Sequence, residues 1–127
     1  MKVVKGLFYT EDHEWLKSEG DEAYIGLSDY AQDALGDIVY VDLPEVDDEF
    51  DKEEDFAAVE SVKAAADVYM PAGGTVTAVN EDLFDNPELV NEDPYENWLV
   101  KIEVADKAEL DELMTSEEYE KFLDEEV

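Results

Sequence analysis

The sequence predicts a mainly β fold: a flattened pair of small sheets, one added short helix and a helical C-terminus. Three observations carry this. Short apolar runs, several with period-two alternation, recur along most of the chain between turn signals, as strands do. A faint internal echo, Asp37-Ile38-Val39-Tyr40 ahead of Pro44 and Asp67-Val68-Tyr69 ahead of Pro71, repeats at an offset of 30 residues. Two such half-motifs can pair into a two-sheet β fold with pseudo-twofold symmetry. Towards the end the apolar period changes from that of a strand to that of a helix.

The elements follow in order. Phe8 to Trp15 and Ala23 to Leu27 read as strands flanking the turn signal Ser18-Glu19-Gly20-Asp21, and so as a hairpin. A short helix comes next. Ser28 is its N-cap, Asp29 suits the positive helix start, and Gly36 stops it. Leu27 can staple that start, and Ala31, Ala34 and Leu35 give it a small apolar face. Asp37 to Leu43 is a strand ended by Pro44, and Asp47 to Asp55 an acidic connector anchored by Phe50. Phe56 to Val59 and Ala64 to Tyr69 are strands separated by Glu60-Ser61-Val62-Lys63, and Pro71 to Gly74 is a turn. Thr75 to Val79 and Leu99 to Val104 alternate as strands, while Asn80 to Asn97, with Asn-Pro, Asp-Pro and many acids, reads mostly as loop. Leu110, Leu113 and Met114, then Tyr119, Phe122 and Leu123, sit at helical spacing, with Thr115 and Glu118 as a capping box between them. These predict two short amphipathic helices laid against the sheet. The 127 residues read as one domain, 1–127, with its core at about 20–104 and C-terminal helices at about 106–125. A chain of this size buries about two-thirds of its unfolded surface, enough for a real core.

Charge excludes several functions. Eight lysines, no arginine and 38 acids leave a formal net charge of −30. Such a surface repels phosphate backbones and anionic lipid heads, so neither nucleic acid nor membrane is an expected partner. The absence of cysteine removes disulfides, thiolate catalysis and thiolate metal sites. The opening Met1-Lys2-Val3-Val4-Lys5 runs into polar sequence and predicts neither signal peptide nor spanning helix, hence a cytoplasmic location. Yet 45% of residues are apolar, too many for a disordered acidic chain. An acidic skin on a folded domain repels itself in dilute buffer and is relieved by screening. A host with a very salty cytoplasm is the expectation.

Enzyme chemistry fails on inventory. The only histidine is His13, and no Gly-x-Ser-x-Gly elbow or glycine-rich phosphate loop is present. A lone histidine beside a tryptophan reads as structural. Carboxylate pairs are so abundant that none is informative. The segment starting at Asp47 fails as a calcium loop, with Lys52 where glycine is needed and Ala58 where glutamate is needed. No metal site is expected.

One window stands out. Residues 56–66 hold a single acid, Glu60, where the average composition would place about three. Within it Lys63 lies between two apolar strands in a stretch that allows only a tight turn. A turn residue projects into water, and the alanines after Lys63 leave its approach open. A covalently modified lysine needs such a stem and such access. A plain solubilising turn lysine explains the composition equally well.

Glu60-Ser61-Val62-Lys63 followed by Pro71, Gly74 and Asn80 resembles the lipoylation signature of the glycine cleavage system H protein family. Tyr9 with His13-Glu14-Trp15 is similar to that family's N-terminal segment. Ile25 to Asp33, Leu35-Gly36, Asp37-Ile38-Val39 and Leu43-Pro44 are similar to its middle, and Asn91, Pro94-Tyr95, Trp98 and Ile102 to its end. The resemblance covers nearly the whole chain. It implies a mainly β, lipoyl/biotinyl-type barrel-sandwich hybrid of two small antiparallel sheets with an added short helix and a helical C-terminus. It also implies a carrier and not a catalyst, with lipoate as an amide on Lys63 in the motif context of Glu60, Ser61, Val62 and Ala64. The implied partners of this monomeric carrier are glycine decarboxylase, aminomethyltransferase, dihydrolipoyl dehydrogenase and a lipoate-attaching enzyme. In the family the arm swings back to a groove. Glu14 and Asp67 match positions associated with it, and Asp12 stands where a serine or threonine is common. The acidic skin marks the chain as a haloarchaeal-type member.

Other readings compete. A biotin carrier flanks its lysine with methionines, where this chain has Val62 and Ala64. Lipoyl domains of 2-oxoacid dehydrogenases present Asp-Lys-Ala. An H-like protein relaying lipoyl groups or serving sulfur metabolism keeps fold and cofactor and changes partners. A cofactor-free acidic interaction module drops both.

Overall fold

The computed structural model describes residues 1–126. Among these described residues, nine strands form two antiparallel sheets. They are β1 (Phe8–Tyr9), β2 (Glu14–Glu19), β3 (Glu22–Leu27), β4 (Ile38–Asp42), β5 (Glu49–Phe50), β6 (Asp55–Ser61), β7 (Ala65–Tyr69), β8 (Gly74–Val79) and β9 (Val100–Val104). The larger sheet runs β1-β2-β3-β9-β8-β5, the smaller β4-β6-β7. Helix α1 (Asp29–Leu35) joins the larger sheet to the smaller. The one-turn helices α2 (Asp82–Asp85) and α3 (Leu89–Glu92) lie between β8 and β9. A 3₁₀ helix (Lys107–Glu112) and α4 (Ser116–Glu126) close the chain. The expected fold class, mainly β with two antiparallel sheets and an added helix, is what these elements build.

Alternation fixes the layers. In β2, Leu16 faces the main core while its neighbour Trp15 belongs to a second apolar cluster. The main core fills the space between the sheets, with Ile25, Ile102, Val76, Val59 and Val68 all buried. It also takes in Leu16 and Leu110, on either side of the expected 20–104 span. The second cluster packs α4, through Tyr119 and Leu123, on Leu7, Tyr9 and Trp15. Each fully buried large apolar side chain contributes about 1.5–3 kcal/mol.

The α1 boundaries follow the sequence signals. The Ser28 hydroxyl accepts from Ala31 N, and Gly36 ends the helix at φ 81°, ψ −156°, a region open essentially to glycine alone. The capping box also forms: Glu118 Oε1 accepts from Thr115 N at 2.9 Å and Thr115 Oγ1 from Glu118 N at 3.2 Å.

Five expectations need correction. The strand expected from Phe8 to Trp15 is broken by a turn in which His13 takes φ 69°, so pairing resumes only at Glu14. The hairpin turn is tighter than Ser18 to Asp21, because Glu19 and Glu22 still pair and Gly20 at φ 65° makes the reversal. The supposed loop at 80–97 holds α2 and α3, each inserting one fully buried residue, Leu83 and Val90, into the core. A one-turn helix has no period to detect. The first C-terminal helix is 3₁₀. The two echoed segments form β4 and β7, which both flank β6 in the smaller sheet. The echo therefore does not relate one sheet to the other.

Candidate functional site

Strands β6 and β7 form a hairpin whose register runs through Asp55↔Tyr69 to Glu60↔Ala65. Val62, Lys63 and Ala64 are its exposed tip, Val62 with 67% of its surface in water. The tip is stiff because Ser61 organises it. Ser61 Oγ accepts from the backbone N–H of Lys63 and of Ala64, each at 3.1 Å, and is 3.1 Å from Ala64 O, to which it donates. Ser61 N donates to Ala64 O at 2.7 Å, and Val62 N to Asp37 O at 3.0 Å, tying the tip to the start of β4. Glu60 is exposed and paired in register with Tyr40 and Ala65. The Lys63 amine thus projects from a fixed backbone. Its stem lies along Gly36, where a Cβ would sit 2.7 Å from Lys63 Cε.

Beside the hairpin is a cleft of about 190 Å³. One wall is the turn Asp12-His13-Glu14, a second is α1 through Tyr30, Ala31, Ala34 and Leu35, and the third is β6–β7 at Val59, Ala66, Asp67 and Val68. The three expected groove residues, Glu14, Asp67 and Asp12, therefore share one cleft with the apolar face of α1. Asp12 and Asp67 are exposed. Glu14 is only 2% exposed, because alternation along β2 puts it on the Leu16 side. Thr10 Oγ1 donates to Glu14 Oε1 at 2.6 Å and Tyr69 N to Oε2 at 3.2 Å. Burial nonetheless pushes its pKa up to about 7 from the ordinary 4.5. Loss of hydration outweighs those two donated hydrogen bonds.

Sequence reasoning missed several contributors. Thr10, four residues before Glu14 across the turn, supplies the short bond to its carboxylate. His13 does not merely pack beside Trp15. Its ring lies 4.4 Å from that of Tyr30, and its Nδ1 is 2.8 Å from the Tyr119 hydroxyl. Asn91 accepts from Ile38 N at 2.8 Å and donates to Gly36 O at 2.9 Å and Gln32 Oε1 at 3.0 Å. That fixes the end of α1 beside the hairpin. The contacts of His13 and Asn91 have no local sequence signal, because they span elements far apart in the chain; the Thr10–Glu14 bond is local but depends on the turn between them.

A single lysine on a braced hairpin, next to a cleft walled by the apolar face of α1, is the arrangement expected of a carrier of the swinging-arm class. The sequence profile of the family described as Glycine cleavage H-protein matches residues 7–126. A glycine cleavage system H protein of Halothermothrix orenii is 59% identical over 126 residues, covering 98% of each chain. That of Thermoanaerobacter pseudethanolicus is 57% identical, covering 99% of this chain and all of its own. The crystal structure of a glycine cleavage system H protein from Mycobacterium marinum superposes with a TM-score of 0.83 at 33% identity, over 94% of this chain and 98% of the other. The chain belongs to the Glycine cleavage H-protein family. It is a lipoyl carrier in glycine cleavage and not an enzyme, of a family that holds lipoate covalently on a lysine. These relatives come from bacteria, and give no support to a haloarchaeal-type origin. Among the described residues, no helix is long and apolar enough to cross a membrane.

Proposed function

We propose that Lys63 is the lipoylated residue, and that the cleft bounded by Asp12, Glu14 and Asp67 shelters the arm between visits to partner enzymes. The observation that carries this is the juxtaposition of the exposed, braced Lys63 with that cleft along α1. Bound lipoate supplies a disulfide that, once opened, holds a one-carbon amine unit on sulfur. This chain's residues do the rest. Lys63 Nζ forms the amide, and Ser61 holds its backbone in place. Glu60, Val62 and Ala64 present the surface that the lipoate-attaching enzyme grips. Ala31, Ala34 and Leu35 give the arm an apolar wall that excludes water. Glu14, with Asp67 and Asp12 at the rim, faces the cationic amine, and a carboxylate in a partly desolvated site holds such a cation more strongly than one in water.

The unit is received from glycine decarboxylase and delivered to aminomethyltransferase, and dihydrolipoyl dehydrogenase reoxidises the dithiol. Tethering raises the arm's effective concentration in each docked active site. We place this work in the cytoplasm, with the carrier monomeric by itself. The acidic skin suits a salty interior. Intact mass of protein made in a host that synthesises lipoate tests the first claim: one lipoyl adduct is expected, absent in Lys63→Ala. Glycine-dependent carbon transfer, reconstituted with the decarboxylase and the aminomethyltransferase, tests the second. A carrier that is lipoylated yet inert there would belong to lipoyl relay or sulfur metabolism instead.

A further inference from the structure

We propose that Tyr119, on the C-terminal helix, is a positioning residue for the arm cleft: its hydroxyl joins two of the cleft's walls. The proposal rests on the reading of that cleft as the shelter of a Lys63-borne arm. It starts from α1, which lines the cleft yet has no fully buried side chain. A seven-residue helix has little stability of its own, so its place is set at its ends. Asn91 fixes the C-terminal end through Gly36 and Gln32. At the N-terminal end, Ser28 N donates to His13 O at 2.9 Å, which ties the start of α1 to the turn at 12–14 but leaves the side chains to be ordered.

Tyr119 orders them. Its hydroxyl is 2.8 Å from Ser28 Oγ and 2.8 Å from His13 Nδ1. Ser28 Oγ is the atom that caps α1, and His13 belongs to the opposite wall, with Asp12 and Glu14. Tyr119 and Ser28 are both fully buried. The Tyr119 ring is held in a parallel stack on Tyr9, centroids 4.3 Å apart and planes 3° apart. The oxygen is therefore presented by a ring that packing already fixes. Buried polar groups linked in this way specify one arrangement more sharply than apolar contacts do. Helix α4 contributes no residue to the lining of the cleft, yet through this hydroxyl it sets how the first turn of α1 faces the turn at 12–14.

The test uses the full lipoylated chain with its one-carbon amine loaded, and a loaded lipoyllysine peptide as the unsheltered reference. Three quantities are followed: release of the one-carbon unit into buffer, the thermal midpoint, and the amide chemical-shift changes at Ala31, Ala34 and Leu35 on loading. Tyr119→Phe keeps the stack and removes the oxygen. It should shorten the loaded lifetime about three- to tenfold, the factor one ordinary hydrogen bond supplies, and shrink the shift changes at α1, well below the midpoint. Ser28→Gly removes the other end of the same contact with little loss of capping and should do likewise, which covers a Tyr119→Phe chain that fails to fold. Wild type outliving the peptide while both variants keep full lifetime and full shift changes would overturn the role of Tyr119. Wild type decaying as fast as the peptide would instead overturn the sheltering cleft.

Discussion

Glu14 shows how burial sets the chemistry of one residue. A carboxyl whose pKa rises on folding favours the fold in its neutral form. That stability is complete below the ordinary value of 4.5 and lost as pH rises through about 7. Full ionisation of Glu14 thus costs about 3 kcal/mol at pH 8. Denaturant unfolding from pH 4 to 8 should show Glu14→Gln gaining on wild type across that window, and parallel curves would refute the shift. The same substitution should shorten the lifetime of the loaded carrier, since the cation loses its buried carboxylate. At the tip, Ser61→Ala removes the acceptor of two backbone N–H groups. It should cost about 1 kcal/mol and slow lipoylation of Lys63, read as adduct formed against time by mass. The exposed turn that carries Lys63 was legible from the two flanking apolar runs. Tyr119 was not, because its value lies in Ser28, 91 residues away, which only folding brings near; Thr10 was not, because its bond to Glu14 depends on the turn at 10–14.

Among the elements, α1 was the most legible, because capping chemistry is local: Ser28 and Gly36 mark its ends in sequence as in space. The strands of clear alternation were legible for the same reason. What failed was order carried by long-range pairing. The acidic connector contains β5, which exists because Glu49 and Phe50 pair with Thr75 and Gly74. No feature of Asp47 to Asp55 announces it. Helices α2 and α3 each depend on one buried side chain. The end of α1 gives a sharp prediction. Gly36→Ala puts a side chain into a backbone region that tolerates glycine alone and should destabilise by about 1–3 kcal/mol. It should also displace the Lys63 stem from its place along Gly36, so a lysine-labelling rate at position 63 should change together with the denaturation midpoint.

For the whole molecule, the net charge of −30 governs behaviour more than any one pair. Lys17, Lys52, Lys101 and Lys107 each meet a carboxylate, at 2.7–3.5 Å. Surface pairs of that kind contribute about 0–1 kcal/mol and leave the excess uncancelled. Thermal melts should therefore show a midpoint higher in molar KCl than in dilute buffer, since screening acts within about 10 Å already at 0.1 M salt. Equal midpoints would remove the idea of an acidic skin suited to salt. Acylation of Lys63, as proposed, would remove one positive charge, too small a change for partners to sense by field alone. Discrimination between bare and modified carrier must lie in short-range contact near the hairpin.

The bracing of that hairpin by Ser61 has a mechanical meaning. A tether fastened to a rigid post sweeps a hemisphere whose radius comes from the tether and whose aim comes from the post. Transplanting the lysine by one place, Lys63→Ala with Ala64→Lys, would keep the radius and turn the aim.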